Sequence, residues 1–176
     1  VQSTPHAIRS IVVADPRYTF VKADWRAMHL RLLANLSLDP QLIGLFDCGL
    51  DPFVSLASML FGHGAEEVTD SERSVAKAST YALLYGGTCH TIAQKNNLTL
   101  EAIKAYKDTF FQRFRGVDRW IERTVRNARN DGFITTVNGR QLSPMGHGEG
   151  QLKKGTTVNR ILQGSEADIL TEVIAK

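Results

Sequence analysis

Residues 70–87 have the sequence DSERSVAKASTYALLYGG, and this stretch predicts a single helix. Thr69 or Asp70 is suited to cap its start, because both carry a side-chain oxygen that can accept from the first free backbone N–H groups. Gly86 and Gly87 are suited to end it. The interior contains neither Pro nor Gly, so the pattern predicts one continuous helix with defined ends.

Four side chains of this stretch repeat at every fourth residue: Arg73, Lys77, Tyr81 and Tyr85. Each step turns roughly 40° past a full revolution, so the four form one gently winding stripe about 18 Å long. Two cations at one end and two aromatic rings at the other match the layout of a nucleoside triphosphate, since cations bind phosphate and rings stack on bases. The same spacing also fits a surface helix with two basic residues and a buried aromatic edge.

Composition places the chain among ordinary globular proteins. Its 176 residues are 43% apolar and 22% charged. No apolar run approaches the roughly 18 residues that a membrane span needs, so we expect no membrane partner. The opening VQSTPHAIRS lacks the layout of a signal peptide, and Cys48 and Cys89 lack metal-ligand spacing. We therefore expect two reduced thiols in an intracellular protein.

Charge is distributed unevenly along the chain. The net charge is +3, but residues 73–160 hold 15 Lys and Arg against 6 Asp and Glu. A basic half of this kind suits a polyanionic partner such as nucleic acid. Solvated helix faces that happen to be basic explain the same count equally well.

The segment before the first helix is predicted to contain a functional carboxylate. Residues 11–14 and 18–23 predict two short strands, separated by the turn signal of Asp15 and Pro16. The second strand leads directly into Asp24, after which the apolar period becomes that of a helix. The pattern therefore places Asp24 at a strand-to-helix junction, where its direction is fixed from both sides.

The remaining segments predict mainly helices and one hairpin. Asn138 and Gly139 are a strong hairpin turn between two short strands within residues 133–142. Helices are predicted at 40–46, 52–60, 89–95, 99–114, 116–130 and 152–176. The sequence therefore predicts an α+β fold that is mostly α-helical.

Four segments, in order, resemble the polymerase core of family A DNA polymerases. Residues 23–31, ADWRAMHLR, resemble the segment with the catalytic aspartate, and residues 73–86 resemble the nucleotide-binding helix of the fingers. Residues 132–140 resemble the hairpin that follows the fingers, and residues 159–168 the Asn…Gln-Gly segment of a palm helix. The resemblance extends from about residue 8 to the end of the chain.

The resemblance implies fingers helices on a partial antiparallel palm sheet. Residues 1–36 correspond to a palm part with the first catalytic motif, 37–131 to the fingers, and 132–176 to the palm hairpin and final helix. The family's second catalytic aspartate lies in a His-Asp-Glu strand, and no such segment occurs here. The thumb is not represented either. We therefore expect a fragment of a larger polymerase that is inactive alone.

The implied activity is template-directed DNA synthesis, in replication or repair, with two Mg²⁺ ions clamping the attacking and leaving oxygens. Asp24 is the implied metal-binding and catalytic carboxylate, with the backbone carbonyl of Trp25 as a further ligand, although Asp24 also fits a helix cap. Arg73 and Lys77 would hold the triphosphate of the incoming dNTP. Lys77 would also donate a proton to the leaving pyrophosphate.

The resemblance also assigns contacts to sugar, base and DNA. Tyr81 would lie beneath the sugar and base, Tyr85 would stack on the template base or fill its space, and Gly86 would let nucleic acid approach the backbone. The primer–template would be contacted by Arg140, Asn159 and Gln163. An exposed hairpin arginine and capped or buried amides are equally good accounts of these three.

Three departures from the family pattern carry expectations of their own. His29 stands where the family has a glutamate that blocks the ribose 2′-hydroxyl, so His29 is a candidate substrate-contacting residue and we expect weaker rejection of ribonucleotides. Gly155 stands where the family has an arginine. The Tyr81–Tyr85 run is similar to the theta and nu branch of eukaryotic nuclear enzymes, or to some phage enzymes. The first of these similarities suggests a nuclear location.

A different class of function is a non-catalytic nucleic-acid-binding remnant of a polymerase core. The altered residues around Asp24 favour this alternative. The intact stripe of two cations and two tyrosines favours the enzyme, because a DNA-binding remnant has no use for a triphosphate site.

Overall fold

The computed structural model describes residues 11, 13–21, 23–47, 49, 51–145 and 151–175. Over these residues the chain is mostly helical with one two-stranded antiparallel sheet, which confirms the expected fold class. The helices are α1 (Met28–Ser37), α2 (Pro40–Asp47), α3 (Pro52–Phe61), α4 (Asp70–Leu84), α5 (Cys89–Asn96), α6 (Leu100–Arg113), α7 (Arg115–Asp131) and α8 (Lys154–Ile174). A 3₁₀ turn at Ala65–Glu67 precedes α4, and the strands are β1 (Ile134–Thr135) and β2 (Gln141–Leu142).

The ends of α4 follow from its sequence. The Thr69 hydroxyl accepts from the Glu72 N–H at 3.2 Å, and the Glu72 carboxylate accepts from the Thr69 N–H at 2.9 Å. This reciprocal capping box shows that Thr69 is the cap. At the other end Gly86 adopts φ 84°, and the Gly87 N–H donates to the Ala82 carbonyl at 2.7 Å, which ends the helix as the glycine pair predicts.

The core lies where α1, α7 and α8 meet, and it continues between α3, α4 and α6. α4 packs most extensively on α3. The buried side chains include Leu30, Leu33, Leu56, Phe110, Phe114, Val117, Val158 and Leu162. In the described part of the chain no helix alone is long and apolar enough to cross a membrane; α2 and α3, which meet at a 120° bend, pass that test only as a pair.

The two strands predicted before Asp24 are absent from the described residues there. Tyr18 donates its N–H to the Asp15 carbonyl at 2.9 Å, so the predicted turn is present, but residues 13–21 form no strand. Val13 and Val21 are 78% and 89% exposed. A strand needs a paired neighbour and a covered face, and no described segment supplies either. Positions 12 and 22 lie outside the described residues.

Asp24 therefore does not lie at a strand-to-helix junction. The backbone around it is irregular, and α1 begins four residues later at Met28. Its carboxylate is exposed. Its direction is thus not fixed by a strand and a helix as the sequence suggested.

The hairpin is confirmed, although its strands are shorter than predicted. Ile134 pairs with Leu142, and Gly139 supplies the positive φ of 83° that the turn requires. The hairpin docks on α8, where the Val137 N–H donates to the Ser165 hydroxyl at 3.1 Å. Leu142 lies against the backbone of α8 at Gly164.

Candidate functional site

The stripe on α4 lies over Phe53, a residue near the start of α3. The guanidinium carbon of Arg73 is 5.7 Å from the centre of the Phe53 ring, and the Lys77 ammonium is 5.4 Å from it. The ring of Tyr81 meets the same ring edge-on at 5.7 Å between centroids. One buried ring thus supports three of the four stripe residues. Phe53 was not singled out from the sequence, because its only signal is that it follows the Asp51–Pro52 helix start.

Arg73 is held by an acidic partner. Its Nε and Nη2 donate to Oδ2 of Asp51 at 2.9 and 2.7 Å, and Arg26 lies 3.6 Å from the same oxygen. Asp51 also caps α3 by accepting from the Phe53 N–H at 2.8 Å. Burial raises the pKa of Asp51, but hydrogen bonds from Arg73 and Phe53 and the charges of the two arginines lower it by more, so the pKa lies below its usual value. Asp51 therefore orients the guanidinium and shares its charge.

Lys77 is the stripe cation that remains available. Its side chain is exposed, and its ammonium makes no ion pair with a described carboxylate. An ammonium over the edge of an aromatic support keeps its N–H donors in solvent. The geometry therefore leaves Lys77 free to bind an anion.

The two tyrosines form a stacked pair. Their rings are 5.8 Å apart between centroids with an interplanar angle of 6°. Burial, together with the charge of Glu166, raises the pKa of Tyr81 to about 12, against a small opposing effect of a hydrogen bond with the backbone of Leu30. Burial, with the nearby Tyr81 and Glu166, raises the pKa of Tyr85 as well. Both hydroxyls are therefore neutral at physiological pH.

His29 joins this pair to the final helix. Its Nδ1 hydrogen-bonds the Tyr85 hydroxyl, and its Nε2 lies 2.9 Å from Oε2 of Glu166. The imidazole meets the rings of Tyr81 and Tyr85 edge-on, at 6.0 and 5.9 Å between centroids. The structure thus brings His29 to the aromatic end of the stripe, and it adds Glu166, which sequence reasoning missed.

Gly86 lies against α8. A side chain at Gly155 would project into the backbone of Tyr85 and Gly86, so the end of α4 and the first turn of α8 are in direct backbone contact. This contact explains how glycine fits at position 155, where the family resemblance implies an arginine. It also means that one side of Gly86 is covered by protein.

Asn159 and Gln163 follow Gly155 at helical spacing along α8. Asn159 is half-buried, and within the described chain its buried Oδ1 has no hydrogen-bond partner. Gln163 is exposed. Neither amide caps a helix, and Gln163 is not buried. The alternative account of Gln163, a capping or buried amide, therefore does not apply.

Arg140 is paired within the protein. Its Nε and Nη2 lie 2.7 and 2.6 Å from Oδ1 of Asp168, and Nη2 donates to the Gly164 carbonyl at 3.0 Å. Hydrogen bonds from Thr136 and from Arg140 hold the pKa of Asp168 below its usual value. The hairpin arginine thus fastens the hairpin to α8, and Asp168 is fully engaged in that contact.

The described residues do not form a metal site by themselves. They include no group of three or more His, Cys, Asp or Glu side chains that could hold an ion. The Asp24 carboxylate is exposed and has no described ion-pair partner, and Trp25 is 45% exposed. A carboxylate and a backbone carbonyl are ligands that Mg²⁺ accepts, so these two residues fit part of a site but not a pair of ions.

The chain belongs to DNA polymerase family A, because the model of that family matches residues 2–176.

Several bacterial DNA polymerases are similar to this chain. DNA polymerase I of Pseudomonas aeruginosa is 34% identical over 168 residues, and the thermostable DNA polymerase I of Thermus aquaticus is 30% identical over 174 residues. These matches cover 93% and 96% of this chain but 18% and 21% of the relatives, so the chain spans about a fifth of their length. Among solved structures it is similar to the POL domain of Pol1 from M. smegmatis in complex with DNA primer-template and dNTP, with a TM-score of 0.71 and 32% identity. That match covers 84% of this chain and 27% of the other.

Proposed function

We propose that this chain supplies the nucleotide-binding fingers and part of the palm of a template-directed DNA polymerase, a DNA-directed nucleotidyltransferase. The observation that carries the proposal is the row of Arg73, Lys77 and Tyr81 over one buried ring, in a chain of family A. This part of the stripe has the cations of Arg73 and Lys77 at one end and the aromatic ring of Tyr81 at the other. Its substrates would be a dNTP and the 3′-hydroxyl of a primer annealed to template DNA.

Each residue of the row has a role that its contacts support. Lys77, with its ammonium in solvent, binds the triphosphate and donates a proton to the leaving pyrophosphate. Arg73 binds the same phosphates with the N–H groups that Asp51 leaves free. Tyr81 would lie beneath the sugar and base, and Tyr85 would stack on the template base or fill its space, which the stacked arrangement of their rings supports.

Magnesium would be held by Asp24 and the carbonyl of Trp25, together with a second carboxylate from the remaining palm. Two bound Mg²⁺ ions would stabilise the charge that develops on the attacking and leaving oxygens. The remaining palm and the thumb are therefore required partners, with the palm parts at 1–36 and 132–176 and the fingers at 37–131. Gly86, Asn159 and Gln163 would face the primer–template, whereas Arg140 would reach it only by sharing its guanidinium with Asp168.

The test compares Arg73→Ala and Lys77→Ala with Lys95→Ala, an exposed lysine on α5, in the full-length protein. A charge-assisted phosphate contact contributes about 1.5–3 kcal/mol, so each stripe variant should lose more than tenfold in kcat/KM for dNTP. The Kd for primed DNA should change less, and Lys95→Ala should behave as the parent. Unchanged primer extension by both stripe variants would contradict the assignment.

A second candidate function is a non-catalytic nucleic-acid-binding remnant. Asp24 belongs to no described group of three or more metal-ligating side chains, and Arg73 already has an anionic partner in Asp51. Under this alternative the full-length protein binds primed DNA, extends no primer, and gains no DNA affinity from the matching dNTP. Measuring DNA affinity with and without that dNTP separates the two functions.

The branch and location of the protein stay predictions. The run from Tyr81 to Tyr85 suggests the theta and nu branch and a nuclear location, but the relatives reported above are bacterial enzymes and give this no support. An intracellular location is expected from the cysteine content. Imaging a tagged full-length protein in its source cells tests both the intracellular and the nuclear location.

A further inference from the structure

The cluster of His29, Tyr85 and Glu166 joins three helices at the aromatic end of the stripe. His29 is the second residue of α1, Tyr85 follows the last turn of α4, and Glu166 lies in the middle of α8. The His29 side chain is 17% exposed and that of Glu166 is 39% exposed. Because the imidazole contacts both tyrosine rings, a ligand on the tyrosine pair would meet it.

The partners of the imidazole define which nitrogen carries the proton. An ionised carboxylate only accepts hydrogen bonds, so Nε2 carries a proton and donates it to Glu166 at 2.9 Å. In the neutral ring Nδ1 is then an acceptor, and the Tyr85 hydroxyl donates to it. Both ring nitrogens are thus engaged by protein groups, and the ring is held edge-on to the two tyrosines.

We propose that Glu166 acts through His29 as a positioning residue for sugar selection, which rests on the proposed function of this site. The held imidazole has no free ring nitrogen, because protein groups engage both. A ribose 2′-hydroxyl placed against the ring loses water and gains no hydrogen bond from it, whereas a deoxyribose has no hydroxyl to desolvate there. The carboxylate that the family resemblance places at position 29 is here supplied by another helix.

Without Glu166 the imidazole loses the partner that fixes Nε2. The ring then turns and offers its N–H to the 2′-hydroxyl, so a ribonucleotide gains a hydrogen bond. The rejection of ribonucleotides by the parent protein therefore depends on the pair of His29 and Glu166. His29 alone is not sufficient for this rejection.

The experiment measures kcat/KM for dATP and ATP in single-nucleotide primer extension by the full-length protein. Glu166→Ala should lower the dATP:ATP ratio by about tenfold, through a lower KM for ATP, with kcat/KM for dATP nearly unchanged. Glu166→Gln should keep the parent ratio, because its amide oxygen still accepts from Nε2. Glu172→Ala, which removes an exposed carboxylate of the same helix, should also keep it.

A double variant shows whether Glu166 acts through His29. His29→Ala should lower the ratio, and His29→Ala with Glu166→Ala should lower it no further, since the second change removes the partner of an absent ring. Glu166→Leu keeps side-chain bulk and serves where Glu166→Ala unfolds, which thermal unfolding detects.

The outcomes separate the role of Glu166 from the function on which it rests. An active parent whose Glu166→Ala and Glu166→Leu variants keep the parent ratio overturns the role of Glu166 alone. An equal fall in kcat/KM for both nucleotides assigns Glu166 a merely structural role and also overturns it. A full-length parent that extends no primer with dNTP overturns the proposed function, and sugar selection with it.

Discussion

The Tyr81 hydroxyl is a neutral hydrogen-bonding group in a largely aromatic setting. Burial and the charge of Glu166 raise its pKa to about 12, so it stays protonated at working pH. Its ring is fixed between Tyr85 and Phe53, so the hydroxyl has a defined place at the sugar end of the stripe. By analogy with family A polymerases, we propose that this hydroxyl substitutes for a missing 3′-hydroxyl of an incoming nucleotide.

We therefore predict that the full-length protein incorporates dideoxynucleotides readily and that Tyr81→Phe restores discrimination. The measurement is the ratio of kcat/KM for ddATP and dATP in parent and variant. Phe keeps the stacking area, so dATP incorporation serves as the internal control. Equal ratios in the two proteins would show that the hydroxyl plays no such part.

At the start of α4, His63 and Glu72 form an ion pair whose effect depends on pH. Nε2 of His63 lies 2.9 Å from Oε1 of Glu72. Hydrogen bonds to Glu72 and to the Gly64 carbonyl raise the pKa of His63 above 6.5. Hydrogen bonds from the Thr69 backbone, His63 and the Thr69 hydroxyl lower the pKa of Glu72 from 4.5 to about 2.

The signs of these shifts set a pH window. The stability that protonated His63 contributes is fully present below 6.5 and is lost as pH rises through its raised pKa. The contribution of Glu72 is present above 4.5 and is lost as pH falls through about 2. The pair therefore stabilises the start of α4 most between those limits.

We predict that His63→Gln lowers the thermal unfolding midpoint most near about pH 5.5 and by less near about pH 8.5. Substituting His90, an exposed histidine of α5, by Gln controls for the loss of a titrating group. A His63→Gln curve that runs parallel to the parent over the whole range would mean that the pair contributes nothing to the pH dependence.

At the scale of secondary-structure elements, local sequence determines the helix positions and ends but not the long-range partners of their side chains. The stripe on α4 was predictable because helix period is local, and the helix ends were predictable because caps act within three or four residues. The partners of the stripe were not predictable. Asp51 is 22 residues from Arg73, and Glu166 is 137 residues from His29. Only the packing of α3 and α8 on α4 and α1 brings these groups together.

The missing strands have the same explanation. Residues 11–14 and 18–23 have strand composition, but strand formation depends on cross-strand pairs that no local pattern contains. Because the predicted strand at 18–23 does not form, the strand-to-helix junction expected at Asp24 is absent as well. The hairpin at 133–142 was predicted correctly because its two strands are joined by a single short turn, so their pairing is local in sequence.

The contact of α8 with the end of α4 yields a prediction about Gly155. A methyl group there would collide with the backbone of Tyr85 and Gly86, which cannot move aside as a flexible side chain can. Gly155→Ala should therefore destabilise the 176-residue chain by about 1–3 kcal/mol in urea unfolding, although Ala is the better helix former.

The matched control is Gly44→Ala in α2. A Cβ at Gly44 meets nothing within 4 Å, so this change should stabilise the chain by about 0.5–1 kcal/mol. Stabilisation by both substitutions would mean that α8 does not press on the end of α4 in solution.

At the scale of the whole molecule, the charge distribution predicts nucleic-acid binding that is weak and sensitive to salt. The basic residues 73–160 include an exposed row on α7, formed by Arg119, Arg123 and Arg126. Binding through phosphate contacts releases counterions, so affinity should fall steeply as salt rises.

The last prediction is that the 176-residue chain folds but does not extend primers. Most of its helices share one buried core, and α5 packs against α6 in a smaller cluster, so the fingers should give a cooperative unfolding transition. Two Mg²⁺ ions and a triphosphate, however, need more than one carboxylate to fix their positions. Asp24 is the candidate, and Asp168, the substitute on α8 that the family resemblance suggests, is engaged by Thr136 and Arg140.

The control for this prediction is Asp24→Asn in the same chain, assayed with primed DNA, dNTP and Mg²⁺. Asn keeps the shape of the side chain and removes the charge that attracts the metal. Both chains should be inactive, because a single exposed carboxylate binds Mg²⁺ weakly and largely through water. Primer extension by the parent chain that the Asp24→Asn chain lacks would require a second metal-binding carboxylate within residues 1–176, acting together with Asp24.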